Sequence, residues 1–396
     1  MVRILHAADF HLDSAYGALT AEQAVQRRRE SRENLTRLVD YANDHRSELM
    51  LLSGDLFDTE AIFAQTGELL ASELERFAGE VVIAPGNHDY YSARSAYARL
   101  LWPKNVHIFH HAAMESVSFP QYGCVVHGAA FVGEEAEELP LAHIAPSDGW
   151  LHLGVLHGET GSKDSRYRPI SVQQIAESGL AYLALGHVHG CSGVQQAGNT
   201  AYAYPGCLEG RGFDELGDKG FLFGEVDSES VRLRFVPFAK RRYQLLRVDV
   251  TDSERPIEAI CRRLPLRTED DIYRILLTGE CMAPIRTEKI QAELADRFYH
   301  LEVRDQTRLQ QDLWARSDDD TLRGLFLRQM RAKYDAAEDE EQRHRIEQAV
   351  RFGLDAMDNR EYEDQESHCF YSNGTSYVIN LLFFQKTIAF YERYTI

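Results

Sequence analysis

At 396 residues the chain exceeds what one ordinary hydrophobic core organises, so two or three domains are expected. A content of 44% hydrophobic and 27% charged residues is that of a soluble globular protein. The net charge of −19 excludes a broad basic field of the kind that holds nucleic acid by charge alone.

In chain order, residues 2–8 (VRILHAA) and 48–53 (ELMLLS) read as strands separated by a polar stretch with helical spacing. On that stretch Leu35, Leu38, Val39 and Ala42 fall at i, i+3, i+4 and i+7, the signature of one helix face. Residues 61–78 repeat the helical pattern and 80–84 (EVVIA) return to strand, an alternation that predicts a parallel or mixed sheet with crossover helices. Short β runs follow at 106–109, 124–131, 151–156 and 181–185. After Gly190 come Gly-punctuated β segments at 201–204, 220–226 and 230–238, which are expected to close the domain as a second sheet.

A new pattern begins near Tyr243, with helices at 256–264 and 286–297 and strands at 271–278 and 298–303. The boundaries that follow are 1–245 for the first domain and 246–313 for a small α+β domain. In the segment 321–360, Leu322, Leu325, Met330 and Tyr334 and then Ile346, Val350, Leu354 and Met357 make two amphipathic helices. These either pack on the chain's own domain or dock a partner. The segment 365–396 is an aromatic tail of unassigned role, too interrupted by polar residues for a membrane span. Six cysteines without a C-x-x-C pair read as reduced thiols, and no N-terminal stretch resembles an export signal, so a cytoplasmic location is expected.

Chemistry is concentrated in the first half. Asp9-Phe10-His11, Gly54-Asp55, Gly86-Asn87-His88-Asp89 and Gly186-His187-Val188-His189 each follow an apolar strand, as does the isolated His157-Gly158. Ligands in open α/β sheets gather at such strand ends. A D-x-H or H-x-H alone is common on exposed loops; the ordered set is specific. Phosphoester hydrolysis needs a nucleophile at neutral pH and neutralised phosphoryl oxygens, which two divalent ions about 3.5–4 Å apart can supply. Asp9, His11, Asp55, Asn87, His157, His187 and His189 provide the mixture of carboxylate, amide oxygen and imidazole that such ions take. His88 points away from its neighbour Asn87 and can face substrate as a proton donor. Asp89 either orients His88 or caps the following helix. Asp58 reads as a loop-ordering residue or a partner of a ligand. His107, His110 and His111 show no carboxylate partners and are read as structural or exposed; His6 and His127 carry no assigned role.

The series D-x-H, G-D-x-x-D, G-N-H-D, H-G, G-H-x-H resembles the calcineurin-like metallophosphoesterase superfamily from about Val2 to Val236. HAADFHLDS, LLSGDLFD and APGNHDYY, with a small added domain, look most like SbcD-type DNA repair exonucleases. Asp13, where the family often has glycine, resembles a YhaO-like branch. The resemblance implies an αββα sandwich of two mixed sheets flanked by helices, with a capping domain at 246–313. It implies two divalent ions, manganese by family habit. One would be held by Asp9, His11, Asp55 and His189; the other by Asp55, Asn87, His157 and His187, with His88 and Asp89 catalytic. It also implies a DNA substrate, an SbcC-like coiled-coil ATPase partner on the C-terminal helices, and a homodimer through the nuclease domain.

Overall fold

Strand β1 (Val2–Ala7), helix α1 (Ala21–Asp44), strand β2 (Leu49–Leu52), helix α2 (Ala64–Glu75) and strand β3 (Glu80–Ile83) alternate as expected. After the single-turn helix α3 (Ala96–Arg99), β4 (Val106–Ile108) joins the same parallel array. The structure is a computed structural model that describes residues 1–357 except 60, 61, 147, 252, 254, 282 and 310–312. The aromatic tail 365–396 and the last part of the segment 321–360, residues 358–360, lie outside the described residues. Helix α1 starts at a capping box in which Thr20 accepts the backbone N–H of Gln23, and its Leu35, Leu38, Val39 and Ala42 are all buried.

A second sheet is assembled from β5 (Glu115–Phe119), β6 (Cys124–Gly128) and β7 (Leu151–His157), then β10 (Tyr182–Gly186), β11 (Gln195–Ala197) and β12 (Thr200–Ala203). Between β7 and β10 the chain forms the two-residue strands β8 (Glu159–Thr160) and β9 (Pro169–Ile170) and helix α4 (Val172–Glu177). The expectation that 220–226 and 230–238 build this second sheet is corrected. These residues, β13 (Gly220–Val226) and β14 (Val231–Pro237), extend the first sheet, whose order is β14-β13-β1-β2-β3-β4. β2 occupies one edge of β1 and leaves the other open, and β13 pairs there antiparallel, Val2 opposite Val226. Apolar pattern shows that a strand is covered on its faces; it does not say which edge it joins.

The two-residue strand period sorts the side chains into layers. In the first sheet Leu5, Met50, Leu52, Val81 and Ile83 face Leu35, Leu38, Val39, Leu70 and Leu74 of α1 and α2. The alternate residues Ile4, Leu49, Leu51 and Val82 meet Val126, Leu153, Val155, Tyr182 and Ala184 of the second sheet. On the far side Leu156, Leu183, Leu185 and Tyr202 pack on Ile175 of α4 and on Leu139 and Leu141. Helix, sheet, sheet, helix is the αββα sandwich expected.

Strands β15 (Tyr243–Asp249), β16 (Ile272–Thr278) and β18 (His300–Asp305) form a parallel three-stranded sheet. Helices α5 (Pro256–Arg263) and α6 (Thr287–Leu294) are its crossovers, and the two-residue strand β17 (Glu280–Cys281) follows β16. Val248, Ile275, Leu277, Leu301 and Val303 pack on Ile260, Ile290 and Leu294, so both helices cover one face. A buried charge cluster joins α1 to the chain entering this sheet. Arg27 reaches Glu209 at 2.6 Å and Glu30 at 3.0 Å, and Arg241 reaches Glu30 at 2.7 Å. Despite burial, Arg241 and Arg27 hold the Glu30 carboxyl down at about 2.

The described residues up to 308 form one compact unit and the described residues from 309 onward a second. In the second unit, α7 (Leu322–Asp335) and α8 (Glu340–Met357) pack through Leu327, Val350 and Leu354, with Phe326, Met330 and Ile346 alongside. The stripe is displaced from that read in the sequence, because Leu322 and Met357 are exposed and Leu327 takes the central place. Among the described residues no helix is long and apolar enough to cross a membrane.

His6 stands on the inter-sheet face of β1, with Nδ1 2.8 Å from the Tyr182 hydroxyl and Nε2 3.1 Å from Ser53 Oγ and 3.2 Å from the Leu185 carbonyl. Burial pulls its imidazole down to about 3, and burial together with His152 pulls His127 down to about 4. Because these folded values lie below the ordinary 6.5, the unfolded chain takes up the protons first. The neutral rings contribute their full stability above pH 6.5 and lose it as pH falls toward 3–4, at no more than about 1.4 kcal/mol per pH unit each. Melts followed by circular dichroism between pH 7 and pH 4 should therefore show a shallower decline in His6→Gln than in the parent protein; identical slopes would refute the assignment.

Candidate metal centre

The loops that leave β1 and β2 run side by side. Asp9 N donates to the Gly54 carbonyl at 3.0 Å, His11 N to the Asp55 carbonyl at 3.0 Å and Leu12 N to the Leu56 carbonyl at 2.9 Å. Asp9, His11, Asp55 and His187 all take positive φ values, 54°, 43°, 51° and 106°. Non-glycine residues rarely adopt that region, and strain of this kind collects at functional sites. Two glycines make the crossing possible. A Cβ on Gly86 would lie 2.1 Å from Asp55 Oδ1, and one on Gly54, itself at φ 86°, would lie 2.6 Å from His157 Nδ1.

The side chains named from the sequence converge. Asp9, His11, Asp55 and His157 are buried, Asn87 nearly so, and His187 and His189 partly. Asp9, His11 and His189 form one group whose donor atoms lie within 4.8 Å of one another, and Asp9, Asp55 and His157 form another. Asp55 Oδ2 stands between them, 3.7 Å from His11 Nε2 and 3.4 Å from His157 Nε2. Asn87 Oδ1 lies 3.0 Å from His157 Nε2. His187 is placed by its ring, 5.2 Å from that of His157, and by its backbone N–H, which donates to the Asp9 carboxylate at 3.2 Å. It joins none of the three-donor groups among the described residues.

Three of the imidazoles are aimed by what holds their outer nitrogen. Nδ1 of His11 faces Asp58 at 3.1 Å, Nδ1 of His189 faces Glu215 at 2.7 Å and Nδ1 of His157 donates to the Ser53 carbonyl at 2.8 Å. With Nδ1–H committed outward, each Nε2 turns an acceptor lone pair inward, the arrangement of a metal-bound histidine. His11 Nε2 and His189 Nε2 then face each other at 3.3 Å. Two acceptors at that distance repel unless a cation stands with them, so the donor set fits divalent ions. The charges agree. Burial beside Asp55 pushes the Asp9 carboxyl up to about 6. Burial opposes, but Asp55 and Asp9 together carry the His157 imidazole up to about 9.

Sequence reading left two groups unseen. Arg211 donates to Asp58 at 3.0 Å and to Glu215 at 2.8 Å, tying together the carboxylates that aim His11 and His189. Neither Arg211 nor Glu215 belongs to a recognisable motif; they lie in a loop between β12 and β13, and only tertiary structure brings them here. Asp58, read as loop-ordering or a ligand's partner, takes the second of these places. Glu215→Ala should weaken divalent-metal binding by about 10–100-fold, because His189 loses the acceptor that fixes its ring. Calorimetric titration of the metal-stripped protein checks this, and unchanged affinity would count against it.

His88 is exposed at the rim, its ring edge-on to His11 at 4.9 Å and its Nδ1 3.1 Å from the Asp58 carbonyl. Its backbone N–H donates to Asp55 Oδ1 at 2.9 Å. Asp89 is buried and does not reach the His88 ring. Its Oδ1 accepts from Gly86 N at 2.8 Å and Asp55 N at 3.2 Å; its Oδ2 accepts from Leu56 N, Phe57 N and the Tyr97 hydroxyl. The expectation that His107, His110 and His111 lack carboxylate partners is corrected as well: His107 meets Glu80, and both other rings meet Glu115, which folds back from the next strand.

This fold and this ordered donor set coincide with a family match over residues 2–191, described as calcineurin-like phosphoesterase. The two mixed sheets with their flanking helices match a calcineurin-like phosphoesterase fold. Such phosphoesterases use divalent metal ions, and the donor groups here could hold them. Among curated relatives, the chain is 30% identical over 262 residues to the uncharacterized metallophosphoesterase YhaO of Bacillus subtilis (strain 168). That match covers 63% of this chain and 64% of YhaO, so the chain spans somewhat less than two thirds of that relative's length. It is 24% identical over 336 residues to the DNA double-strand break repair protein Mre11 of Methanopyrus kandleri (strain AV19), covering 78% of this chain and 71% of that protein. The crystal structure of TT1561 of Thermus thermophilus aligns at 15% identity and a TM-score of 0.38, over 59% of this chain and 98% of that one. The fold assignment rests on the sheet order and the family match.

Proposed function

We propose that the protein is a manganese-dependent DNA nuclease subunit, acting as an exonuclease in DNA repair. The observation that carries this reading is the extent of the likeness to Mre11. A match over 78% of the chain cannot be confined to the phosphoesterase domain and takes in the three-stranded sheet with α5 and α6. Residues 246–313 are accordingly proposed as a capping and DNA-binding domain attached to the phosphoesterase domain 1–245.

Asp9, His11, Asp55 and His189 would hold one ion, and Asp55, Asn87, His157 and His187 the other. Divalent ions bound there supply Lewis acidity toward phosphoryl oxygens and water activation at neutral pH. Asp55 would serve both, and the contacts at Nδ1 aim the imidazoles of His11, His157 and His189 inward. His88, exposed beside His11, is positioned to hand a proton to the leaving oxygen of a cut strand. Asp89 supports that site through the loops it binds. The helices α7 and α8 are proposed as the dock for an SbcC-like coiled-coil ATPase, with a homodimer through the nuclease domain, in the cytoplasm.

The test is purified protein with end-labelled linear DNA in Mn²⁺ or EDTA, beside His88→Ala. Cleavage should require Mn²⁺ and fall by about 10²–10⁴-fold in the variant, the usual worth of a positioned acid. Hydrolysis of a small aryl phosphodiester with DNA left intact would assign a small-molecule phosphodiesterase instead. Metal binding with no hydrolysis of either substrate, even with the ATPase partner added, would assign a scaffold.

A further inference from the structure

We propose that His110, His111 and Glu115 form a third metal site, separate from the centre above, that takes one zinc-class transition-metal ion. His110 and His111 lie in the turn between β4 and β5, and Glu115 is the first residue of β5. One oxygen of Glu115, Oε2, accepts the backbone N–H groups of His110 at 2.7 Å and His111 at 2.9 Å, which wraps the turn around the carboxylate. The other oxygen, Oε1, is left facing both imidazoles: Nδ1 of His111 at 3.0 Å and Nδ1 of His110 at 3.3 Å. The two rings lie 4.1 Å apart, and all three donor atoms are within 4.8 Å of one another. The competing contact of His110 Nδ1, with the Ile108 carbonyl, is long at 3.5 Å.

These distances suit a tetrahedral ion. Ligands bound at about 2.0–2.1 Å are separated by roughly 3.3 Å along a tetrahedral edge, close to both N–O separations found here. Two imidazoles and one carboxylate select zinc, nickel or copper over the harder ions favoured by oxygen-rich shells. The rings are half-exposed or more, so the fourth position opens to water. The turn is fixed from behind, where the His111 carbonyl accepts the Ala130 N–H at 2.8 Å and the Tyr91 ring lies 5.7 Å from that of His110.

The full chain, stripped of metal, is titrated with Co²⁺ and Zn²⁺, with bound equivalents read by elemental analysis and coordination by the visible Co²⁺ spectrum. The parent protein should bind one equivalent more than His110→Ala/His111→Ala and show a tetrahedral Co²⁺ band that this variant lacks. Glu115→Gln should weaken that equivalent by about tenfold or more. Unchanged melting of the metal-free variants shows that the loss is local, and phosphoesterase activity in Mn²⁺ should be untouched. Equal equivalents in the parent and the double variant would overturn the proposal whatever the substrate of the phosphoesterase centre proves to be.

Discussion

Asp55→Asn should lower hydrolysis by on the order of 10³-fold or more while the protein stays folded. The carboxylate is buried between His11 and His157 and lies nearest to serving both donor groups. Although burial works against ionisation, His157, His11 and His88 keep it well below the usual carboxylate range, so it is an anion at neutral pH. Asparagine preserves the shape and still accepts the His88 N–H, but it carries no charge and its amide cannot bridge two cations. Bound metal should fall from two equivalents to one or none, read by elemental analysis after desalting. Two equivalents retained in Asp55→Asn, with hydrolysis near the parent rate, would remove Asp55 from the centre.

Asp89→Ala should be the most destabilising single change at the site, by about 3–5 kcal/mol. The carboxylate accepts four backbone N–H groups and the Tyr97 hydroxyl, and none of these donors has water to fall back on. It is also what fastens the loop carrying Asp55 to the loop carrying Asn87. The melting temperature should drop sharply, and divalent-metal affinity should fall with it even though Asp89 belongs to neither donor group. Asp89→Asn keeps one acceptor oxygen and should lie between the two. A melting temperature for Asp89→Ala equal to that of the parent would show that the loops are held by other means.

The sequence carried the donor set because each candidate ligand follows a strand and all but His157 are announced by a small motif. Asp9 and His11, Asp55, Asn87, and His187 and His189 could be found this way, and the structure brings them together. Helix α1 was readable for a similar reason, since four apolar residues on one face leave little choice of burial. Edge partnership was not readable: β13 has the composition of any covered strand, and only the free side of β1 decides where it goes. The outer ring of the site was equally hidden. Glu215 and Arg211 act on His189 from 26 and 22 residues away, through contacts that no local pattern encodes. The carboxylate partner of His110 and His111 is hidden in the same way, because Glu115, four residues beyond His111, meets both rings only once the turn brings it back.

The left-handed backbone at Asp9, His11 and Asp55 has a bearing on how variants there behave. Glycine relaxes such a position and asparagine tolerates it, whereas alanine keeps the steric penalty while discarding the ligand. Replacement by glycine thus moves two quantities of opposite sign, a gain in conformational ease and a loss of cation binding. A mutant that outlasts its parent on heating can still be one whose centre has been emptied, so thermal robustness and metal occupancy have to be read as independent axes in this loop pair.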